Sequence, residues 1–205
     1  RGDGRVPGGS SLIADPAMSR LREWVIEEGE PLASSLHQPS DAPGLGSLVA
    51  EGDRTAADAG EYALVLEAIR EGYLCHYGEA RILADADADL LLLAGDLFYA
   101  YGIRRLAGLE DLESVGILSD LIRIAADLHA RGEAAQAERL WPIQILALSC
   151  GSGPDHGELL KGLEEGRPGA LEALEEWSRQ TSDDRGVGRA LNETREAIDF
   201  RSFRL

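Results

Sequence analysis

Three aspartates at alternate positions, Asp85, Asp87 and Asp89, are the residues whose type and spacing most suggest chemistry. If they lie on a helix, Asp85 and Asp89 share a face, and two carboxylates one turn apart can grip Mg²⁺ through oxygen. The same residues also suit a purely local role. Acidic groups just ahead of an apolar helix cap its free N–H groups and favour its dipole. His76 falls on an apolar stripe, where a histidine serves either as a hydrogen-bonded core residue or as a base or ligand. Asp96 stands amid fourteen nearly uncharged residues from Leu90 to Ile103. A carboxylate buried there would need a partner, so Asp96 is expected to be buried and hydrogen-bonded. Its neighbour Gly95 lowers helix propensity, so a packing reason is expected, namely a close helix–helix contact. Arg104 and Arg105 end the same run, where cations suit the helix dipole or could meet a diphosphate.

The familiar catalytic arrangements are missing. The sequence contains no G-x-x-x-x-G-K-[ST], no G-x-G-x-x-G, no H-E-x-x-H and no G-x-S-x-G. Cys75 and Cys150 are far apart in apolar surroundings and read as two buried thiols, neither a disulfide framework nor a zinc pattern. Twenty basic residues against 37 acidic ones leave a net charge of −17, which argues against a sequence-independent grip on nucleic acid or on an anionic membrane. No apolar run reaches the roughly 18 residues of a membrane span. No signal peptide is expected, and the reading is a cytoplasmic protein. The Arg1-Gly2-Asp3 tripeptide sits in a glycine-rich start and reads as chance.

The elements that must position these residues are helices. Aromatics make up only 5% of the chain, while Ala, Leu, Glu and Arg abound, and no segment alternates with period two. Residues 1–12 read as a disordered tail and 13–205 as one all-α domain of about eight helices. Asp15-Pro16 opens a helix that Gly29 stops. Residues 30–47 read as a loop. Tyr62, Leu66, Ile69, Tyr73 and His76 mark a helix over about 56–77. Leu90 to Ile103 reads as a buried central helix. Ile117, Leu121, Ile124 and Leu128 form the next seam. A helix from about Glu133 carries Pro142 in its interior, where a kink is expected. Shorter helices follow over about 156–165 and 168–179, then a polar break at 181–188 and a last helix to Phe200.

Leu93-Ala94-Gly95-Asp96-Leu97-Phe98-Tyr99-Ala100 resembles the LAGD helix of trans-polyprenyl diphosphate synthases. The succession resembles still more closely the small accessory subunit of heterodimeric heptaprenyl diphosphate synthase. There a histidine-bearing helix precedes the LAGD helix, and an acidic stretch and an isoleucine-rich helix follow. Here these read as Leu74-Cys75-His76, Leu93 to Tyr101, Leu109-Glu110-Asp111-Leu112-Glu113 and Ile117 to Leu128, so the likeness covers about 60–130. Gly95, Asp96 and His76 are its structural motif. The resemblance implies an isoprenoid-synthase-like fold and a place in isoprenoid biosynthesis, supplying the side chain of a quinone such as menaquinone.

The departures set the expected role. Catalytic members carry two Asp-Asp-x-x-Asp motifs that hold Mg²⁺. Asp85-x-Asp87-x-Asp89 has the wrong spacing, and Asp183-Asp184 is followed by Val187 where a third aspartate would stand. One lysine, Lys161, cannot replace the family's lysine contacts to diphosphate. The chain is also shorter than a full synthase, so the end of the helical barrel is expected to be missing. The expectation is a catalytically silent accessory subunit, needing no cofactor itself, whose partner is a catalytic polyprenyl diphosphate synthase subunit. Self-association through the helices around 93–128, as a dimer, is the other expected partnership. The alternatives are a stand-alone helical enzyme binding Mg²⁺ through Asp85, Asp87 and Asp89, and a helical interaction protein with no isoprenoid link.

Overall fold

A computed structural model describes residues 15–37 and 43–199; the tail expected over residues 1–12 lies outside them. Among the described residues there are nine α-helices, two short 3₁₀ turns and no strand beyond one isolated bridge between Leu36 and Leu83. The helices are α1 (Pro16–Glu28), α2 (Gly46–Glu51), α3 (Ala59–Tyr77), α4 (Ala88–Ala107), α5 (Leu112–Ala130), α6 (Ala134–Cys150), α7 (Gly153–Glu164), α8 (Ala170–Arg185) and α9 (Gly188–Asp199). The all-α reading therefore holds.

Local signals set most of the helix ends. The Asp15 carboxylate accepts from the N–H groups of Ala17 and Met18, and Gly29 leaves α1 at φ 83°. Asp87 caps α4 through Leu90 N–H, and Asp111 caps α5 through Ser114 N–H. α6 runs through Pro142 as one helix. The break expected at 181–188 is confined to Gly186 and Val187, because α8 continues to Arg185 and ends on Gly186 in the left-handed region. Asp183 and Asp184 accordingly ride the last turn of α8 and not a loop.

The central helix is α3, not the run from Leu90 to Ile103. From Leu64 to Cys75 every residue of α3 is buried, charged ones included. Two hydrophobic clusters meet on it. Val65, Leu66, Ile69 and Tyr73 join the larger one, built with α2 and α5 to α9, while Leu64, Ala68 and Cys75 join the smaller one with α1 and α4. Helix α4 covers the outside of α3 and leaves Leu92 and Leu93 53% and 69% exposed. The seam of α5 points inward: Ile117, Leu121, Ile124 and Leu128 are all buried, as are Leu118 and Ala125. On the second apolar face of α5, Leu118 and Ala125 are thus covered within the chain, while Ile122 is half-buried and Leu112 at the helix start is exposed.

Helix α4 sits unusually near α3 because glycines face the contact. A Cβ on Gly72 would stand 2.8 Å from Tyr99 Cδ1 and 2.9 Å from the Gly95 carbonyl. One on Gly102 would stand 2.6 Å from Ile69 Cγ1, and one on Gly95 2.6 Å from His76 Nε2. The close contact expected at Gly95 is present. Gly95→Leu should therefore cost about 1–3 kcal/mol by overpacking, read as a lower denaturation midpoint at unchanged slope. A variant melting with the native chain would contradict this packing.

Candidate functional site

The sequence candidates His76, Gly95 and Asp96 come together at the α3–α4 seam. The space Gly95 leaves is filled by the His76 ring, which stacks on Tyr99 with centroids 5.4 Å apart and 21° between planes. His76 Nε2 lies 3.3 Å from Asp96 Oδ1. Asp96 thus has a partner, but it is not buried. Its side chain is 79% exposed, because position 96 falls on the solvent side of α4. The expected burial of Asp96 is therefore not met: a helix apolar nearly all round need be covered on one side only, and α3 covers the opposite side of α4.

An aromatic and polar ladder continues inward from this pair. The Tyr77 ring stacks on His129 with centroids 4.1 Å apart, and the Tyr73 hydroxyl and His129 Nε2 are hydrogen-bonded at 2.8 Å. The Arg70 guanidinium lies 4.9 Å from the ring centres of both Tyr73 and Trp141 and donates to Glu138 at 2.7 Å. Burial pushes the Tyr73 and Tyr99 hydroxyls well above the usual range and pulls His129 below it. At neutral pH these groups are therefore uncharged, which suits packing better than proton transfer. Tyr77 and His129 were not singled out in the sequence, and Tyr73 only as one position of the apolar stripe on α3. Tyr73, His76 and Tyr77 fall one turn apart on α3, the one local signal that could have gathered them.

The acidic run does not form a cluster. Asp85 precedes α4 with φ 58°, so it does not share a helix face with Asp89; Asp87 is committed to capping, and Asp89 is exposed in the first turn. Among the described residues no three His, Cys, Asp or Glu side chains gather where they could hold a metal ion. The thiols are poorly placed as nucleophiles: both are buried, and burial first, then Glu71, pushes Cys75 up to about 12. Asp111, in the acidic stretch before α5, is a structural hub. It accepts from Tyr62 Oη at 2.8 Å, from Arg54 Nη2 at 3.0 Å and from Ser114. Burial opposes its charge, but these bonds hold the carboxyl below the ordinary range. Two clefts beside α8, of about 190 and 210 Å³, are smaller than the usual small-molecule pocket.

The feature most open to a partner is the outer stripe of α4. At 100° per residue, Asp89, Leu92, Leu93, Asp96, Ala100, Ile103, Arg104 and Ala107 fall within an arc of about 120°. Ile103 is half-buried and the other seven are exposed, so this is the face α4 turns away from α3. Five of the eight are apolar. Solvent-facing helix stripes are ordinarily polar, and here Leu92 and Leu93 stand open to solvent among Asp89, Asp96 and Arg104. No helix among the described residues is long and apolar enough to cross a membrane, so the stripe is not part of a span. Compared with known proteins, the chain matches no family model, no curated protein and no solved structure.

Proposed function

We propose that this chain is a catalytically silent accessory subunit of isoprenoid-synthase type, acting with an aspartate-rich polyprenyl diphosphate synthase in quinone side-chain biosynthesis. The observation that carries the reading is the outer face of α4. The helix bearing Leu93-Ala94-Gly95-Asp96 uses its glycines to seat against α3 and turns Leu92, Leu93 and Ala100 outward. Such a helix presents a surface and does not line a reaction chamber. The scattered placement of Asp85, Asp87 and Asp89 supports a binding role over a Mg²⁺-dependent one. In this reading the partner supplies both aspartate motifs, and this chain braces the synthase and helps set product length.

A prenyltransferase assay tests it, with the chain alone, an aspartate-rich synthase subunit alone, and the two mixed. The chain alone is expected to condense no isopentenyl diphosphate with an allylic diphosphate, and the mixture to work faster or make longer products than the synthase by itself. Mg²⁺-dependent product from the pure chain within minutes would overturn the silent reading. A mixture indistinguishable from the synthase would leave a helical interaction protein outside isoprenoid synthesis.

A further inference from the structure

We infer that the cleft between α6, α8 and the end of α9 seats the segment of this chain that follows α9, with the Phe203 ring as the group that enters it. The inference is independent of any synthase partner. The cleft has a volume of about 210 Å³. That is small for a free ligand and suits a single aromatic side chain. Pro142, Ile143 and Ile198 make it apolar inside, and Glu138, Glu175 and Asp199 stand around them. Asp199 is also the last described residue of α9, so the segment Phe200-Arg201-Ser202-Phe203-Arg204-Leu205, outside the described residues, starts at the cleft itself. Phe203 lies four residues on and can reach any point up to about 13 Å from Asp199.

The pattern of α9 supplies the reason to turn back. Ala190, Leu191, Thr194 and Ile198 are its buried residues. At 100° per residue, an unbroken helix would set Phe203 about 140° and Phe200 about 160° away from Ile198, with both rings in water. A turn over Phe200 to Phe203 instead reverses the chain and brings Phe203 back beside the last turn of α9. Two further features fit this occupant. Pro142 has no N–H, so the Glu138 carbonyl lacks its helix donor; both residues line the cleft, where a backbone N–H of the segment can supply one. Arg201 and Arg204 also bring two cations and no acid to a chain whose net charge is −17.

Trypsin reads the seating, because it cuts after Arg201 and Arg204 and needs the segment free of the body. Loss of the residues beyond Arg201 from the full chain is followed by mass. It is expected to be about tenfold faster or more in Phe203→Ser, which removes the ring, and in Arg195→Trp, which fills the cleft from the α9 side. Phe200→Ser should stay within about twofold of the native rate. The Phe203 ring protons should show Overhauser contacts to the Ile143 methyl groups. Equal cleavage of the native chain, Phe203→Ser and Arg195→Trp would overturn the inference, as would the absence of those contacts. Phe200→Ser cleaved as fast as Phe203→Ser would overturn the choice of ring. Protection that disappears on dilution would overturn seating within one chain and give the cleft to the segment of a second copy.

Discussion

Arg81→Leu is expected to be the most damaging single change in the loop before α4, costing about 3–5 kcal/mol or abolishing folding. The reason is a buried ionic cluster on α3. Arg81 donates from Nη1 to Glu67 at 2.6 Å and from Nε to Glu71 at 2.9 Å, and its Nη2 donates to the Glu67 carbonyl. Both glutamate side chains are fully buried. Glu67 also accepts from Leu45 N–H, and Glu71 from the N–H groups of Arg81 and Ile82, so two chain segments are pinned to one helix. Burial works against the charge of Arg81, but Glu67 and Glu71 outweigh it and raise its pKa. Removing the guanidinium leaves two carboxylates in the interior with no cation. Burial already pushes Glu67 upward against the pull of Arg81, and the variant loses that pull.

The sign of the pH dependence follows. A carboxyl whose folded pKa is raised binds its proton more tightly when folded, so its stabilising effect is present below the unfolded value and is lost as pH rises through the folded one. The deficit of Arg81→Leu relative to the native chain should therefore be smaller near pH 5 than near pH 8. Chemical denaturation at the two pH values measures it. A deficit below about 1 kcal/mol, or one that grows on acidification, would contradict the account.

Leu121→Asp is expected to unfold the chain, with a loss of roughly 4 kcal/mol or more, while Leu93→Asp stays within about 0.5 kcal/mol of the native stability. Leu121 is fully buried between α5 and its neighbours, so an aspartate there would be a charge without water or partner. Leu93 faces solvent. The sequence places both the α5 stripe and the α4 run in the expected self-association surface; the fold separates them, burying Leu121 and leaving Leu93 exposed. Circular dichroism and a guanidinium melt of both variants give the comparison. Equal loss in the two would mean that the outer face of α4 is packed, and equal tolerance would mean that α5 is not core.

The amino-acid sequence by itself determined the all-α class, most helix ends and the inward seam of α5, since caps, glycine stops and three-to-four-residue spacing are local properties that survive any arrangement of neighbours. It determined the Gly95 contact for a related reason: a glycine amid long apolar residues costs helix propensity unless a neighbour needs the room. Only the tertiary structure decided which helix is central. Glu67, Arg70 and Glu71 read locally as the wet face of α3. Their burial depends on Arg81, fourteen residues beyond Glu67, and on Glu138, sixty-eight beyond Arg70, and no periodicity reaches so far. Asp96 failed in the opposite sense. Apolarity on all sides of Leu90 to Ile103 shows how much surface avoids water, not what covers it. Which side meets α3 was settled by where Gly95 and Gly102 let the two backbones touch, and that left Leu92, Leu93 and Asp96 facing out.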